Sequence, residues 1–151
     1  MLIVIICCVF LIALTTLIHY EILRGVHVAL PRLKIPARTK LLVVIFAAFF
    51  AHAMEIGLYT LTIFVLIRYM GAGTLSGGET SLLDCLYFSA ETFTSLGLGD
   101  IAPTGAVRLV AGTEALNGLL LIAWSASYTY LSMEKFWMPS GSSRSDNRQE
   151  S

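Results

Sequence analysis

Three apolar stretches, each long enough to cross a lipid bilayer, constrain this chain more than any other feature of its sequence. Residues 1–23, 41–67 and 106–133 carry few charges, and about 20 apolar residues in a helix cross the hydrocarbon layer. Charged residues make up only 13% of the 151, about half the share in a soluble domain. Ten basic and ten acidic residues cancel, so no net charge favours nucleic acid as a partner. The sequence predicts an all-α membrane protein with three transmembrane helices, and it excludes an ordinary soluble enzyme.

The charges between the stretches predict the orientation. Segment 24–40 is rich in Lys and Arg and contains no acidic residue, and such short loops stay cytoplasmic. We therefore expect the N-terminus outside, segment 68–105 outside and the C-terminus in the cytoplasm. The basic start, short apolar core and cleavage site of a signal peptide are missing from the first stretch, so we expect an extra N-terminal transmembrane helix. The tail 134–151 is Ser-rich and charged, which predicts cytoplasmic disorder.

A shorter apolar run lies in the outer segment. Residues 82–93 would form a helix of about 18 Å, too short to cross the membrane, and Ser81 with Asp84 fits a capping box at its start. We therefore expect a re-entrant helix over 81–93. The next residues contain Gly97 and Gly99, and glycine permits left-handed backbone. An extended segment with alternate glycines can direct successive carbonyls to one axis, where they replace the hydration shell of a cation.

The segment 86–103, Leu-Tyr-Phe-Ser-Ala-Glu-Thr-Phe-Thr-Ser-Leu-Gly-Leu-Gly-Asp-Ile-Ala-Pro, resembles the pore helix and selectivity filter of potassium channels. The family's Thr-Val-Gly-Tyr-Gly-Asp corresponds to 95–100. The likeness extends into the third stretch, where Arg108, Leu109, Val110 and Gly118 match the inner helix and its hinge glycine. The type resembled is the bacterial two-transmembrane pore-loop channel, here with an additional N-terminal helix. It implies a pore domain over 41–133, with outer helix 41–67, pore helix 81–93, filter 94–100 and inner helix 106–133.

This resemblance implies a homotetramer, since one pore loop cannot enclose an axis. Four copies in the cell membrane would conduct potassium passively. For channels of this type, that membrane is the bacterial inner membrane. The implied partners are monovalent cations and membrane lipids, with no organic cofactor and no nucleic acid. Potassium would bind at Ser95, Leu96, Gly97 and Leu98. The implied filter comprises Thr94, Ser95, Leu96, Gly97, Leu98, Gly99 and Asp100.

Several residues depart from the family's filter or support it. Leu98 replaces a Tyr whose hydroxyl braces the filter in relatives, while Tyr87 and Phe88 occupy the positions of the surrounding aromatic cuff. Weaker bracing leaves a weakly selective monovalent cation channel as an alternative, and a non-conducting accessory subunit is an alternative of another class. Glu91 is implied to face Asp100 and share a proton with it, thereby tuning the stability of the filter. Gly118 fits either a gating hinge or close helix packing.

Ionisable residues within the apolar stretches form the last candidate site. His52 and Glu55 share a helix face, and Glu114 lies at a similar depth when counted at 1.5 Å per residue. These three residues fit a metal site, a pH-sensing triad or structural hydrogen bonds. His19 and Glu21 are expected near the inner surface, reaching lipid headgroups. Since no His-Glu-x-x-His motif is present, we expect no enzyme.

Overall fold

A computed structural model describes residues 1–77 and 81–137 of the chain. Three of its helices are long and apolar enough to cross a membrane, and a fourth has 12 residues. This agrees with the predicted all-α membrane class, apart from one pair of two-residue strands. The elements in chain order are α1 (Leu2–Ala29), α2 (Ala37–Arg68), β1 (Leu75–Ser76), α3 (Leu82–Phe93), β2 (Ala102–Pro103) and α4 (Val107–Trp137).

The helices extend beyond the predicted apolar stretches. α1 continues to Ala29 and α2 begins at Ala37, so most of the predicted loop 24–40 is helical and only residues 30–36 connect the two helices. Hydropathy marks where a helix leaves the hydrocarbon, whereas the helix bounds lie beside two prolines. Pro31 follows the C-cap residue Leu30 of α1 and has no amide hydrogen to continue the helix, and Pro36 directly precedes α2. α4 likewise includes residues 134–137 of the predicted tail. Residues 138–151 lie outside the described residues.

The segment between α2 and α4 is tied together on both sides of α3. β1 pairs antiparallel with β2, with Leu75 opposite Pro103. The capping box at the start of α3 is confirmed: the Ser81 hydroxyl accepts from the Asp84 amide at 3.1 Å, and the Asp84 carboxylate accepts from the Ser81 amide at 3.1 Å. Hydrogen bonds from the Ser81 side chain and backbone hold the pKa of Asp84 below its ordinary value of 3.8. The chain entering α3 and the chain leaving the following loop are thus fixed to one another.

The buried core lies where α3 packs between α2 and α4. Its largest buried side chains include Tyr59 and Ile63 of α2 and Phe93 at the end of α3. α1 packs against both α2 and α4. It is joined to them by Asn117 of α4, whose amide donates to the Thr15 hydroxyl at 2.8 Å and to the Tyr59 hydroxyl at 3.2 Å. All four helices therefore form one packed unit.

Candidate functional site

The loop that follows α3 has an alternating backbone conformation. Ser95, Gly97 and Gly99 have φ angles of 58°, 56° and 82°, in the left-handed region, while Leu96 and Leu98 between them lie outside it. Left-handed backbone is costly for a residue with a side chain, and Ser95 is the one non-glycine residue of the described chain that adopts it. The glycines predicted this conformation at two positions, but the sequence gave no indication of it at Ser95.

Glu91, in the last turn of α3, holds this loop through its backbone and its side chain. Its carbonyl accepts from the Leu96 amide at 2.8 Å, and its carboxylate accepts from the Leu98 amide at 3.3 Å. The Ser95 amide donates to the Thr92 carbonyl at 3.0 Å. Because Glu91 is itself buried, it fixes the start of the loop to a rigid helix.

The predicted proton-sharing pair of Glu91 and Asp100 is not joined by these hydrogen bonds. The Asp100 carboxylate accepts from the Ile101 amide at 3.1 Å. Of the two predicted cuff residues, Phe88 is buried and Tyr87 is exposed. A shared proton and a tuning role for Glu91 therefore stay predictions.

The loop is exposed along its whole length in the single chain. All residues from 94 to 100 are exposed, including two leucines, with 65% of Leu96 and 62% of Leu98 accessible. Exposed leucines on irregular backbone are unusual on the surface of a fully assembled protein. This face of the chain is therefore a candidate for contact with other copies.

Gly118 is a close packing point between α3 and α4. A Cβ atom built on it would collide with the carbonyl oxygen of Phe93 and lie 2.9 Å from the carbonyl carbon and 3.0 Å from Cγ of the Phe93 ring. The glycine is thus explained by the approach of α3, in favour of the packing alternative. α4 is continuous through this position, and a gating hinge at Gly118 stays a prediction.

The predicted intramembrane polar residues form two separate groups in the structure. His19 belongs to the group that contains His52 and Glu55. His19 is fully buried, so its expected place among the headgroups is wrong. Glu55 lies between two imidazoles: its Oε1 is 2.9 Å from Nδ1 of His19, and its Oε2 is 2.9 Å from Nδ1 of His52. Glu21 is exposed and pairs with Arg24. The resulting cluster connects α1 to α2.

Glu114, which was grouped with His52 and Glu55 by depth, instead faces α3. Its Oε1 is hydrogen-bonded to the Ser89 hydroxyl, and that hydroxyl also lies 3.1 Å from the Ile56 carbonyl oxygen. A hydroxyl has one proton. That proton is donated to one of the two oxygens at a time, and the hydroxyl holds Glu114 against α3. This residue therefore fastens α3 to α4 rather than completing a triad with His52.

A groove of about 550 Å³ connects the polar cluster to the loop. It runs between α2 and α4, beside the end of α3, and is mostly apolar. His52 and Ser125 line it near the cluster, and Phe93 and Thr94 line it where the loop begins. The Ser125 hydroxyl also lies 3.2 Å from Nε2 of His19, a contact between α4 and α1 that could not be foreseen from the sequence.

Comparison with known proteins shows that the sequence of this chain is similar to those of ion channels. A family model described as an ion channel matches residues 38–135, from α2 to near the end of α4. Over 71 residues the chain is 39% identical to two-pore potassium channel 1 of Arabidopsis thaliana, a match that covers 46% of this chain and 19% of that protein. No solved structure gives a significant match. The first two matches confirm the resemblance to potassium channels.

Proposed function

This chain belongs to the ion-channel family, and we propose that four copies of it enclose a pore that conducts potassium passively across the membrane. The pore would be lined by residues 94–100 of each copy. The match to a potassium channel supports potassium as the permeant ion, although the chain spans only about a fifth of that relative's length.

The exposed loop at the end of α3 is the observation that carries this proposal. Phe93 contacts Gly118, which is 11 residues beyond Val107 at the start of α4. At 1.5 Å per residue this contact lies about 16 Å along a membrane-crossing helix, which supports a re-entrant α3. Irregular backbone at that depth is tolerated only inside protein or beside a water-filled cavity. The loop is exposed in one chain, and further copies arranged around it would enclose it beside such a cavity.

Four copies around one axis satisfy this requirement and supply the chemistry. The left-handed residues Ser95, Gly97 and Gly99 allow successive carbonyls to face the axis. Rings of such carbonyls replace the water around a potassium ion, and the Ser95 hydroxyl adds a ligand at the inner end. The Asp100 carboxylates would attract cations to the outer mouth. The proposed potassium ligands are Ser95, Leu96, Gly97 and Leu98.

The selectivity of the filter depends on how rigidly it is held. Leu98 lacks the tyrosine hydroxyl of related filters, but its amide is held by the Glu91 carboxylate at 3.3 Å. The start of the filter is also held by the hydrogen bond from the Leu96 amide to the Glu91 carbonyl at 2.8 Å. These contacts favour a selective filter over the weakly selective alternative.

We place the protein in a cell membrane with its N-terminus outside. The basic residues between α1 and α2, which include Arg32 and Lys34, keep that connection in the cytoplasm. The loop 94–100 then faces the outer side, and the C-terminal end of α4 is cytoplasmic.

Ion flux from purified protein in liposomes tests the proposal. We expect potassium flux down its gradient, reduced sodium flux, and loss of both in Gly97→Ala and Gly99→Ala, because an added methyl group opposes the left-handed backbone. Gly25→Ala is the matched control, since nothing lies within 4 Å of a Cβ built on Gly25. Equal potassium and sodium flux would favour the weakly selective alternative. Assembled protein without flux would favour an accessory subunit.

A further inference from the structure

Two histidines and one glutamate from α1 and α2 converge inside the protein, and we call His19, His52 and Glu55 the His–Glu cluster. One ligand atom from each residue lies within 4.8 Å of the other two. His19 and Glu55 are fully buried, and 17% of the His52 side chain is exposed. We propose that the His–Glu cluster binds a divalent metal ion of the zinc type, which fastens the N-terminal helix to the rest of the protein.

The ligand set suits such an ion. Two imidazole nitrogens and one carboxylate are an established combination for Zn²⁺, with ligand distances of about 2.0–2.2 Å. Three atoms arranged around one ion at those distances lie roughly 3–4 Å from each other; the ligand atoms of the cluster lie within 4.8 Å of one another, so a small shift of the side chains would bring all three around the ion. His52 and Glu55 are one helical turn apart on α2 and therefore present their ligands on the same face.

Charge also favours a bound cation. A buried carboxylate is costly unless a positive group or hydrogen bonds compensate it. Among the described residues, the ion pairs of Glu55 are made with the two imidazoles, and no Lys or Arg takes part in them. The compensating charge must come from a proton held by the imidazoles or from a cation placed between the three residues.

A contact from α4 orients the His19 ring for metal binding. Its Nε2 lies 3.2 Å from the Ser125 hydroxyl, and an Nε2–H that donates to Ser125 leaves the lone pair on Nδ1, which faces Glu55. A hydrogen bond to the far nitrogen is how metal-ligating histidines are usually held. The ring also packs against Trp124, with ring centroids 5.3 Å apart. The donor atom of His19 is therefore fixed in direction.

The groove between α2 and α4 gives an ion access to the site. His52 lines it together with Thr94 and Ser125, so an ion and the water that completes its coordination can enter from this side. The ring centroid of His52 lies 5.7 Å from that of Phe93, the last residue of α3. A bound ion would thus lie one side chain away from the start of the loop.

A bound metal would also explain how α1 is attached to the rest of the protein. The family match begins at residue 38, so α1 is an addition to the matched region and requires its own attachment. The Thr15–Asn117 hydrogen bond supplies one polar contact, and His19 supplies the other. An ion shared by His19, His52 and Glu55 would make this second contact much stronger than a hydrogen bond.

Metal analysis of the purified full-length protein tests the inference. A chelator first removes any bound metal from the protein. The protein is then reloaded with Zn²⁺ and dialysed to remove unbound zinc, and its metal content is measured by mass spectrometry. We expect one zinc per chain in the wild type, and a loss of about tenfold or more in affinity in His19→Gln and Glu55→Gln. His27→Gln and Glu21→Gln are the matched controls, because they remove an exposed histidine and an exposed glutamate from the same helix; both should keep the zinc.

A spectroscopic measurement on the wild type does not depend on whether the variants fold. Co²⁺ in a four-coordinate site of nitrogen and oxygen ligands absorbs strongly in the visible range, whereas octahedral Co²⁺ absorbs weakly, so the spectrum reports the geometry. Strong visible bands that Zn²⁺ abolishes would support the site. Wild-type protein that retains no zinc, or His19→Gln protein that retains as much as the wild type, would overturn it. Neither measurement uses ion flux, so failure here leaves the proposed pore untouched.

Discussion

Substitution of Gly118 by alanine tests the packing of α3 on α4. The added Cβ would collide with the Phe93 carbonyl oxygen and lie 2.9 Å from its carbonyl carbon. These are backbone atoms at the end of a helix, which cannot rotate away as the tip of a side chain can. Overpacking of this kind costs about 1–3 kcal/mol, whereas Gly→Ala in a helix gains about 1 kcal/mol. Because the obstacle is backbone, we take the upper end of the range and expect a net loss of about 2 kcal/mol.

Gly112→Ala is the matched control for this prediction. Gly112 lies on the same helix, and nothing lies within 4 Å of a Cβ built on it, so only the helical gain of about 1 kcal/mol remains. The two variants should shift the unfolding of the purified protein in opposite directions, as measured by thermal or denaturant unfolding in one detergent. A Gly118→Ala variant as stable as Gly112→Ala would refute the close approach of α3 to α4.

Three further predictions concern hydrogen bonds made by side chains. Thr15→Val leaves one amide hydrogen of Asn117 without its acceptor and should lower the free energy of unfolding by about 1–3 kcal/mol; calorimetry measures this. Ser81→Ala removes the hydroxyl hydrogen bond to the Asp84 carboxylate, which is the largest cause of its lowered pKa, and leaves the backbone bond in place. The part of the stability loss that is due to this bond should be present at neutral pH and shrink as the pH falls below 3.8. Melting curves against pH check this. Ser89→Ala leaves the buried Glu114 carboxyl group without its hydrogen-bond partner and should lower the free energy of unfolding by about 1–3 kcal/mol; denaturant unfolding measures this.

Features that depend on neighbouring residues could be predicted from the sequence. The Ser81–Asp84 capping box involves residues within one turn of the same helix, and the pattern alone indicated it. The left-handed backbone at Gly97 and Gly99 was likewise predictable, because glycine permits it wherever it occurs. Ser95 differs because its conformation is imposed by the hydrogen bonds that connect the loop to α3.

Features that depend on which helix faces which could not be predicted. His19 was placed near the inner surface from its position along the first apolar stretch, but that position does not specify a face, and its ring is buried against Glu55 of α2 and Ser125 of α4. Glu114 lies at the expected depth, yet depth does not specify a face, and its partner Ser89 comes from α3. The pairing of Gly118 with Phe93 is equally a property of packing, so the sequence allowed both a hinge and a contact.

The reversal potential of the current with potassium on one side of a bilayer and sodium on the other tests the central claim most directly. If carbonyls of residues 95–98 coordinate the ion, the purified protein should give a current that reverses far from zero, in the direction that marks potassium as the more permeant ion. Gly99→Ala should abolish the current, and Gly25→Ala should preserve both the current and its reversal potential. A current that reverses at zero, or one that survives in Gly99→Ala, would contradict a potassium-selective filter at this loop.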